Sequence, residues 1–109
     1  MKNLLGALVL FLAFTVNANA QETFKKVDEK VEAKKNLVAL LEVVTIDENL
    51  SLALTGLFEY KFSRLNENLS ADGKIELANI IEAKLRATFT ETQMKSIENK
   101  KGLLKKLTN

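Results

Sequence analysis

The sequence contains no cysteine, no histidine, no tryptophan and no proline. Cysteine and histidine supply the usual ligands of zinc and copper sites, and they form the Ser–His and Cys–His pairs of many hydrolases. Because both are absent, we expect a protein that is not an enzyme and that has no catalytic residue, no metal site and no cofactor. An enzyme acting through carboxylates such as Glu76 and Glu82 is the remaining alternative, but no arrangement of acidic residues in the sequence stands out.

The first twenty residues have the features of a signal peptide. A short positive start, Met1-Lys2-Asn3, precedes an apolar run from Leu4 to Val16, and Ala18-Asn19-Ala20 offers the small residues of a cleavage site. The run is well short of the roughly 20 residues of a membrane helix, so cleavage near Ala20-Gln21 is favoured over an uncleaved anchor. We therefore expect a periplasmic or secreted protein in which residues 21–109 form a single small all-helical domain. Without disulfides, such a domain depends on helix packing, on oligomerisation, or on both.

Charge is nearly balanced in total but uneven along the chain. Without Lys2, residues 21–109 hold 15 basic and 14 acidic residues, a net charge of +1, which gives no reason to expect nucleic acid as a partner. Residues 41–83 hold eight acidic and three basic residues, a net charge of −5, whereas residues 84–109 hold seven basic and two acidic ones, a net charge of +5. The basic segment is either a set of solvated faces or a surface for an acidic partner or anionic headgroups, with membrane contact peripheral at most.

Apolar residues recur at three- and four-residue steps through four segments, which predicts four amphipathic helices over residues 24–44, 46–66, 71–87 and 90–101. The first stripe consists of Phe24, Val27, Val31, Val38 and Leu41, with the part from Leu37 to Val44 expected to be buried. The second consists of Leu50, Leu54, Leu57, Phe58, Phe62 and Leu65, and the third of Ile75, Ala78, Ile81 and Leu85. The sequence therefore predicts an all-α fold of about four amphipathic helices in helical hairpins, arranged as an open cradle or as a small bundle.

The second helix carries apolar residues on two sides. Leu52, Gly56 and Tyr60 form a line opposite its main stripe, and a glycine between two large residues would let a neighbouring helix approach closely. We expect neighbours on both sides of this helix rather than a ligand groove. Lys61 falls near the main stripe, where we expect its side chain to extend along apolar surface and place its ammonium in water.

Local signals predict where the helices begin and end. Thr90 and Gln93 have the spacing of a capping box, with Phe89 and Met94 placed to form a hydrophobic staple around it. Thr45 and Glu48 repeat the box at the start of the second helix. Ser70 is the expected N-cap of the third helix, and Lys100-Lys101-Gly102 is a typical helix end. Residues 103–107 either continue the fourth helix or form a short basic amphipathic tail.

The segment from Lys84 to Gln93 resembles the region around the LTxxQ motif of the Spy/CpxP family of periplasmic helical proteins, with Phe89 in place of the leucine. Val44-Thr45-Ile46-Asp47-Glu48 lies where that family has an earlier copy of its motif. The resemblance implies a helical homodimer in the periplasm that binds unfolded or stressed envelope proteins without ATP, or that reports envelope stress to a sensor. Members of the family often present a basic concave face to their clients.

Two functions follow as hypotheses. The first is a small chaperone-like or envelope-stress binding protein, whose apolar contacts and basic residues would form the binding surface: Phe24, Phe58, Phe62, Met94, Lys84, Arg86, Lys100 and Lys101. The alternative for these residues is that the apolar ones belong to the core and the lysines to solvated faces. The second function is a structural or accessory subunit that docks through one helix face on a larger assembly of the cell envelope.

Overall fold

The computed structural model describes Phe24–Asn109, and the predicted signal peptide, residues 1–20, lies outside the described residues. Five α-helices and no strand occur within Phe24–Asn109, so the predicted all-α class is confirmed. We number them α1 (Glu29–Leu41), α2 (Glu48–Leu65), α3 (Ala71–Thr88), α4 (Glu91–Asn99) and α5 (Leu103–Thr108). The fifth helix replaces the predicted tail, because Gly102 takes a left-handed conformation with φ of 78° and turns the chain into a new helix.

The first two helices form an antiparallel hairpin, which is the most extensive helix pair of the fold. A short connection joins them at one end, and the side chain of Asn66 ties them at the other. Its Oδ1 accepts a hydrogen bond from the backbone N–H of Val27 at 2.8 Å, and its Nδ2 donates to the carbonyl of Val27 at 3.0 Å. Nδ2 also donates to the Glu29 carboxylate at 3.3 Å. The side-chain amide of Asn66 thus bonds both the N–H and the carbonyl of Val27, as the backbone of a neighbouring β-strand would.

The remaining helices close a single core over this hairpin. The short α5 contacts α1, α3 and α4, and it brings Leu103 and Leu107 into the interior. Phe58, Ile81, Leu85 and Ile97 are fully buried within the chain, whereas Phe62 is half-buried. Of the two predicted arrangements, the described helices form the small bundle and not the open cradle.

Two of the predicted helix boundaries have the expected chemistry. The Ser70 hydroxyl accepts from the Gly73 N–H at 3.1 Å and caps α3. At α4 the capping box is complete, because the Thr90 hydroxyl accepts from the Gln93 N–H at 3.1 Å while the Gln93 side chain accepts from the Thr90 N–H at 3.0 Å. Phe89 and Met94, on either side of the box, are both buried in the core.

The predicted cap at Thr45 and Glu48 is wrong. Asp47 is the N-cap of α2, and its carboxylate accepts from the Leu50 N–H at 2.8 Å, which places Glu48 at the first helical position. A carboxylate caps as well as a hydroxyl does and also interacts favourably with the positive end of the helix dipole. With the helix starting after Asp47, Ile46 packs against the core from the connecting segment while Thr45 stays exposed.

The predicted stripe of the first helix faces outward, and its first two residues, Phe24 and Val27, precede α1, which begins only at Glu29. Val27, Val31, Val38 and Leu41 are 40%, 49%, 51% and 43% exposed, whereas Ala33, Asn36 and Leu40 form the inner face. The small Ala33 and the polar Asn36 are on the side that packs against α2, since Asn36 supplies a hydrogen-bond acceptor there. The expectation that residues 37–44 are buried is therefore correct for Leu40 and Val44 but wrong for Val38 and Leu41.

Apolar residues do occupy two sides of α2, but only one side is packed. Leu54 and Phe58 lie in the core, with Leu50, Leu57 and Leu65 packed at its edge. On the other side Leu52 and Tyr60 are exposed, and a Cβ built on Gly56 would meet no atom within 4 Å. The close approach predicted at Gly56 is therefore not found in the described chain.

The two threonines of the paired motif are predicted to differ in their effect on stability. Thr90→Ala removes a real cap and is expected to lower the free energy of unfolding by about 1 kcal/mol, and Asp47→Ala by a similar amount. Thr45→Ala is expected to change it by no more than a few tenths of a kcal/mol, because its hydroxyl caps nothing. Urea denaturation followed by circular dichroism measures all three, and an equal loss for Thr45→Ala and Asp47→Ala would contradict the assigned cap.

Candidate functional site

An apolar groove opens on the outer side of α1, beside α5, and we call it the α1 groove. It has a volume of about 480 Å³ and is lined by Val31, Lys34, Lys35, Val38, Ala39, Glu42 and Lys106. Val31 and Val38 are seven residues apart and therefore point the same way, about 10 Å apart along the helix. The groove follows from the fold: the inner face of α1 covers α2, so its remaining apolar residues border the gap next to α5.

The charges around the α1 groove are mostly positive. A second depression of about 190 Å³ shares Ala39, Glu42 and Lys106 with it and adds Lys100, Lys101, Gly102 and Leu103. Together the two depressions have five lysines and one carboxylate, that of Glu42, which lies 3.7 Å from Lys100 Nζ in an exposed ion pair. Within Phe24–Asn109 no carboxylate lies at ion-pair distance from Lys34, Lys101 or Lys106. The apolar floor of this region therefore has a basic rim.

The structure separates the four apolar residues predicted to bind clients. Phe58 is fully buried and Met94 is only 5% exposed, so these two belong to the core and the prediction that they form a surface is wrong. Their burial follows from the staple at α4 and from the packed side of α2. Phe24 and Phe62 are half-buried and line one groove of about 400 Å³ at the open end of the α1–α2 hairpin, with Lys25 and Lys74 beside them.

The four basic residues predicted to bind partners do not converge on one surface. Arg86 donates to Glu82 at 2.9 Å and to Glu98 at 2.7 Å, so its guanidinium joins α3 to α4. Hydrogen bonds to Glu98 and Glu82 raise the pKa of Arg86 above its ordinary value. Lys84 is exposed on α3, while Lys100 and Lys101 line the second depression beside the α1 groove.

The cap residues named from the sequence act on helix ends and not on a ligand. Thr90 and Gln93 are engaged with each other, and Thr45 and Glu48 are exposed without the predicted reciprocal bonds. No group of three or more acidic side chains in the described residues is placed to hold a metal ion. No helix of Phe24–Asn109 is both long enough and apolar enough to cross a membrane.

A buried polar cluster centred on Lys61 was not predicted from the sequence. Lys61 is 0% exposed, so the prediction that its ammonium reaches water is wrong. Its Nζ donates to Asn36 Oδ1 at 2.6 Å and to the carbonyls of Leu107 at 2.8 Å and Lys106 at 3.1 Å. All three N–H donors of the ammonium are thereby used, and Nζ also lies 4.5 Å from the centroid of the Phe62 ring.

The acceptors on α5 explain why this position takes a lysine. The last carbonyls of a helix have no partner within the helix and carry the negative end of its dipole. Lys61 supplies donors and a positive charge to that end. Burial nevertheless lowers the pKa of Lys61 from 10.5 to about 8, with the charge of Glu32 opposing the shift and that of Lys106 adding to it. The sequence signal for the cluster is the pair of polar residues, Asn36 and Lys61, at inward positions of α1 and α2.

Comparison of the chain with protein-family models, with curated proteins and with solved structures gives no significant match. The Spy/CpxP resemblance therefore stays a prediction that depends on the residues quoted for it.

The lowered pKa of Lys61 predicts an unusual dependence of stability on pH. Between about pH 8 and pH 10.5 the unfolded chain holds a proton on Lys61 that the folded chain has released, so the free energy of unfolding rises with pH in this window. The gain relative to pH 7 reaches about 3 kcal/mol near pH 10.5. Below pH 8 the side chain is protonated in both states and contributes no pH dependence.

Urea denaturation of the wild type and of Lys61→Met across this range measures the effect, because the difference between the two proteins cancels the contributions of all other groups. Lys74→Met, at an exposed position, serves as the matched control and is expected to follow the wild type. A difference between wild type and Lys61→Met that does not change with pH would contradict the assignment.

Proposed function

We propose that this protein is a secreted or periplasmic binding module without enzymatic activity, which docks on a partner protein of the cell envelope through the outward face of α1. The observation that carries this proposal is the exposure of Val31, Val38 and Leu41 on a helix whose other side is fully packed. Contiguous apolar surface next to a basic rim is typical of protein interaction sites, whereas isolated exposed apolar residues are not.

The burial of the core supports docking over the general binding of unfolded clients. Phe58 and Met94 contribute their side chains to the interior, so they contact nothing outside the chain unless the fold opens. The α1 groove is open in the folded state and is as long as two turns of a helix, which fits one ridge of side chains on a defined partner. The location in the envelope depends on the predicted signal peptide.

The chaperone-like function keeps one supporting observation. Phe24 and Phe62 share a groove with Lys25 and Lys74, which combines aromatic surface with positive charge. For this function we expect the full chain to suppress the aggregation of an unfolded model protein at low salt, at up to equimolar ratio. Phe24→Ser should reduce the suppression, whereas Leu52→Ser, which changes an exposed leucine elsewhere, should not. No suppression by the wild type at low salt would exclude this second candidate.

The docking function is tested by capture of the affinity-tagged chain from cross-linked cell envelopes. We expect one partner at fixed stoichiometry with the wild type and its loss with Val38→Glu, which places a carboxylate on the floor of the α1 groove. Leu52→Glu is the matched control, because Leu52 is 67% exposed on α2 and outside the groove, and it should capture the partner as the wild type does.

Circular dichroism spectra of both variants establish that they are folded. Capture of many unrelated proteins, or equal capture by Val38→Glu and the wild type, would overturn the proposal.

A further inference from the structure

The outward face of α1 is not suited to a second copy of this chain. A symmetric antiparallel pairing that sets Val31 of one copy against Val38 of the other also sets Lys34 against Lys35 at the centre of the contact. Parallel pairing sets each lysine against itself. Like charges that face each other across a helix contact are destabilising. A partner that covers the apolar residues of this face should therefore carry negative charge opposite the central lysines.

The shape of the site distinguishes a peptide from a membrane. The α1 groove is a shallow concavity between α1 and α5, lined by the half-exposed Val31 and Val38 and by Lys34, Lys35 and Lys106. A ridge of side chains on a helix fits such a concavity, whereas insertion into a bilayer needs a convex apolar face, usually with Trp, Phe or Leu at its crest. The largest apolar residue in the lining is valine, and lysines lie beside it, which favours a helical peptide over a lipid surface.

The spacing of the floor residues and the charges of the rim define the partner further. We propose that the α1 groove binds an acidic amphipathic helix of another protein, with aliphatic residues at i, i+3 or i+4, and i+7 facing Val31 and Val38, and with carboxylates facing the lysines. This inference rests on the proposed docking function and adds the chemistry of the partner. Lys100 and Lys101, in the adjoining depression, extend the basic rim beyond the floor along the path of such a helix.

The two parts of the site have different roles in this arrangement. Burial of the valines and of the partner's aliphatic residues supplies most of the affinity. This part of the affinity depends little on ionic strength. The lysines raise the rate of encounter and select carboxylates, and their contribution is screened at high ionic strength. Glu42 is paired with Lys100 at 3.7 Å and Glu32 with Lys35 at 3.2 Å, so within Phe24–Asn109 the lysines of this region that have no ion pair are Lys34, Lys101 and Lys106.

The test uses the full chain without its predicted signal peptide and two labelled synthetic peptides, each of about five helical turns. Both have leucines at the anchor positions, and one has glutamates at the remaining positions where the other has lysines. Fluorescence anisotropy should show binding of the acidic peptide at least tenfold tighter than that of the basic peptide. Raising the ionic strength from about 0.02 M to about 0.3 M should weaken the acidic complex severalfold.

Variants assign the binding to the groove. Val38→Glu and Lys34→Glu should each weaken binding of the acidic peptide about tenfold or more. Their matched controls are Leu52→Glu and Lys84→Glu, which make the same changes at exposed positions on α2 and α3 and should alter binding less than twofold. Equal effects of the groove variants and their controls would overturn the assignment to the α1 groove.

Other results would each overturn the proposal of an acidic helix, and some of them would identify a different ligand of the α1 groove. Equal binding of the two peptides, or no binding of either, removes the acidic helix as the partner. Flotation of the chain with anionic phosphatidylglycerol vesicles, lost in Val38→Glu, identifies a lipid surface. A concentration-dependent dimer in sedimentation velocity, lost in Val38→Glu, identifies a second copy. If Val38→Glu loses a stoichiometric envelope partner in the capture experiment while the acidic peptide fails, the docking function stands and only the chemistry of the partner is wrong.

Discussion

The hydrogen bonds of the buried Lys61 ammonium are the constraint on which the rest of this structure depends. They join three helices at one point, because the lysine is on α2, the Asn36 amide on α1 and the two carbonyls at the end of α5. A helix of six residues has little stability of its own, since so short a segment does not offset the cost of nucleation. What fixes α5 is the burial of Leu103 and Leu107 together with the hydrogen bonds that Lys61 donates to its last carbonyls. An ammonium away from water is costly, and its three hydrogen bonds offset only part of that cost, since burial still lowers the pKa of Lys61 to about 8.

The difference between the two predicted caps shows which features of the fold a sequence determines by itself. Thr90 and Gln93 form their box from residues three positions apart, so only the local chain has to adopt one geometry. At the start of α2 two such signals overlap, and Asp47 competes with Thr45 for the same helix end. Which of the two residues caps α2 depends on the packing of Ile46 against the core, and that packing is a tertiary contact. Lys61 is the extreme case, since its partners on α5 are 45 and 46 residues away along the chain.

Helix positions and the all-α class follow from the periodicity of the sequence, but the inward face of α1 does not. That helix has apolar residues on both sides, and hydropathy favours the side with Val31, Val38 and Leu41 over the side with Ala33 and Asn36. Packing reverses this preference. A small alanine permits α2 to approach, and Asn36 provides the acceptor that the buried lysine needs. Because the inner side is selected by fit and by hydrogen bonding, the more apolar side is left outside, and the candidate site was for that reason not foreseen from the sequence.

The buried lysine and the surface groove are linked through one residue. The carbonyl of Lys106 accepts a hydrogen bond from Lys61 in the interior, and the side chain of the same residue lines the α1 groove. The bond to Lys61 therefore fixes the position of the backbone from which the rim lysine extends. Asn36 holds α1 to the same ammonium, and Val38, on nearly the opposite side of that helix, borders the groove. A change at Lys61 that moved α5 would therefore alter the outer surface as well as the core.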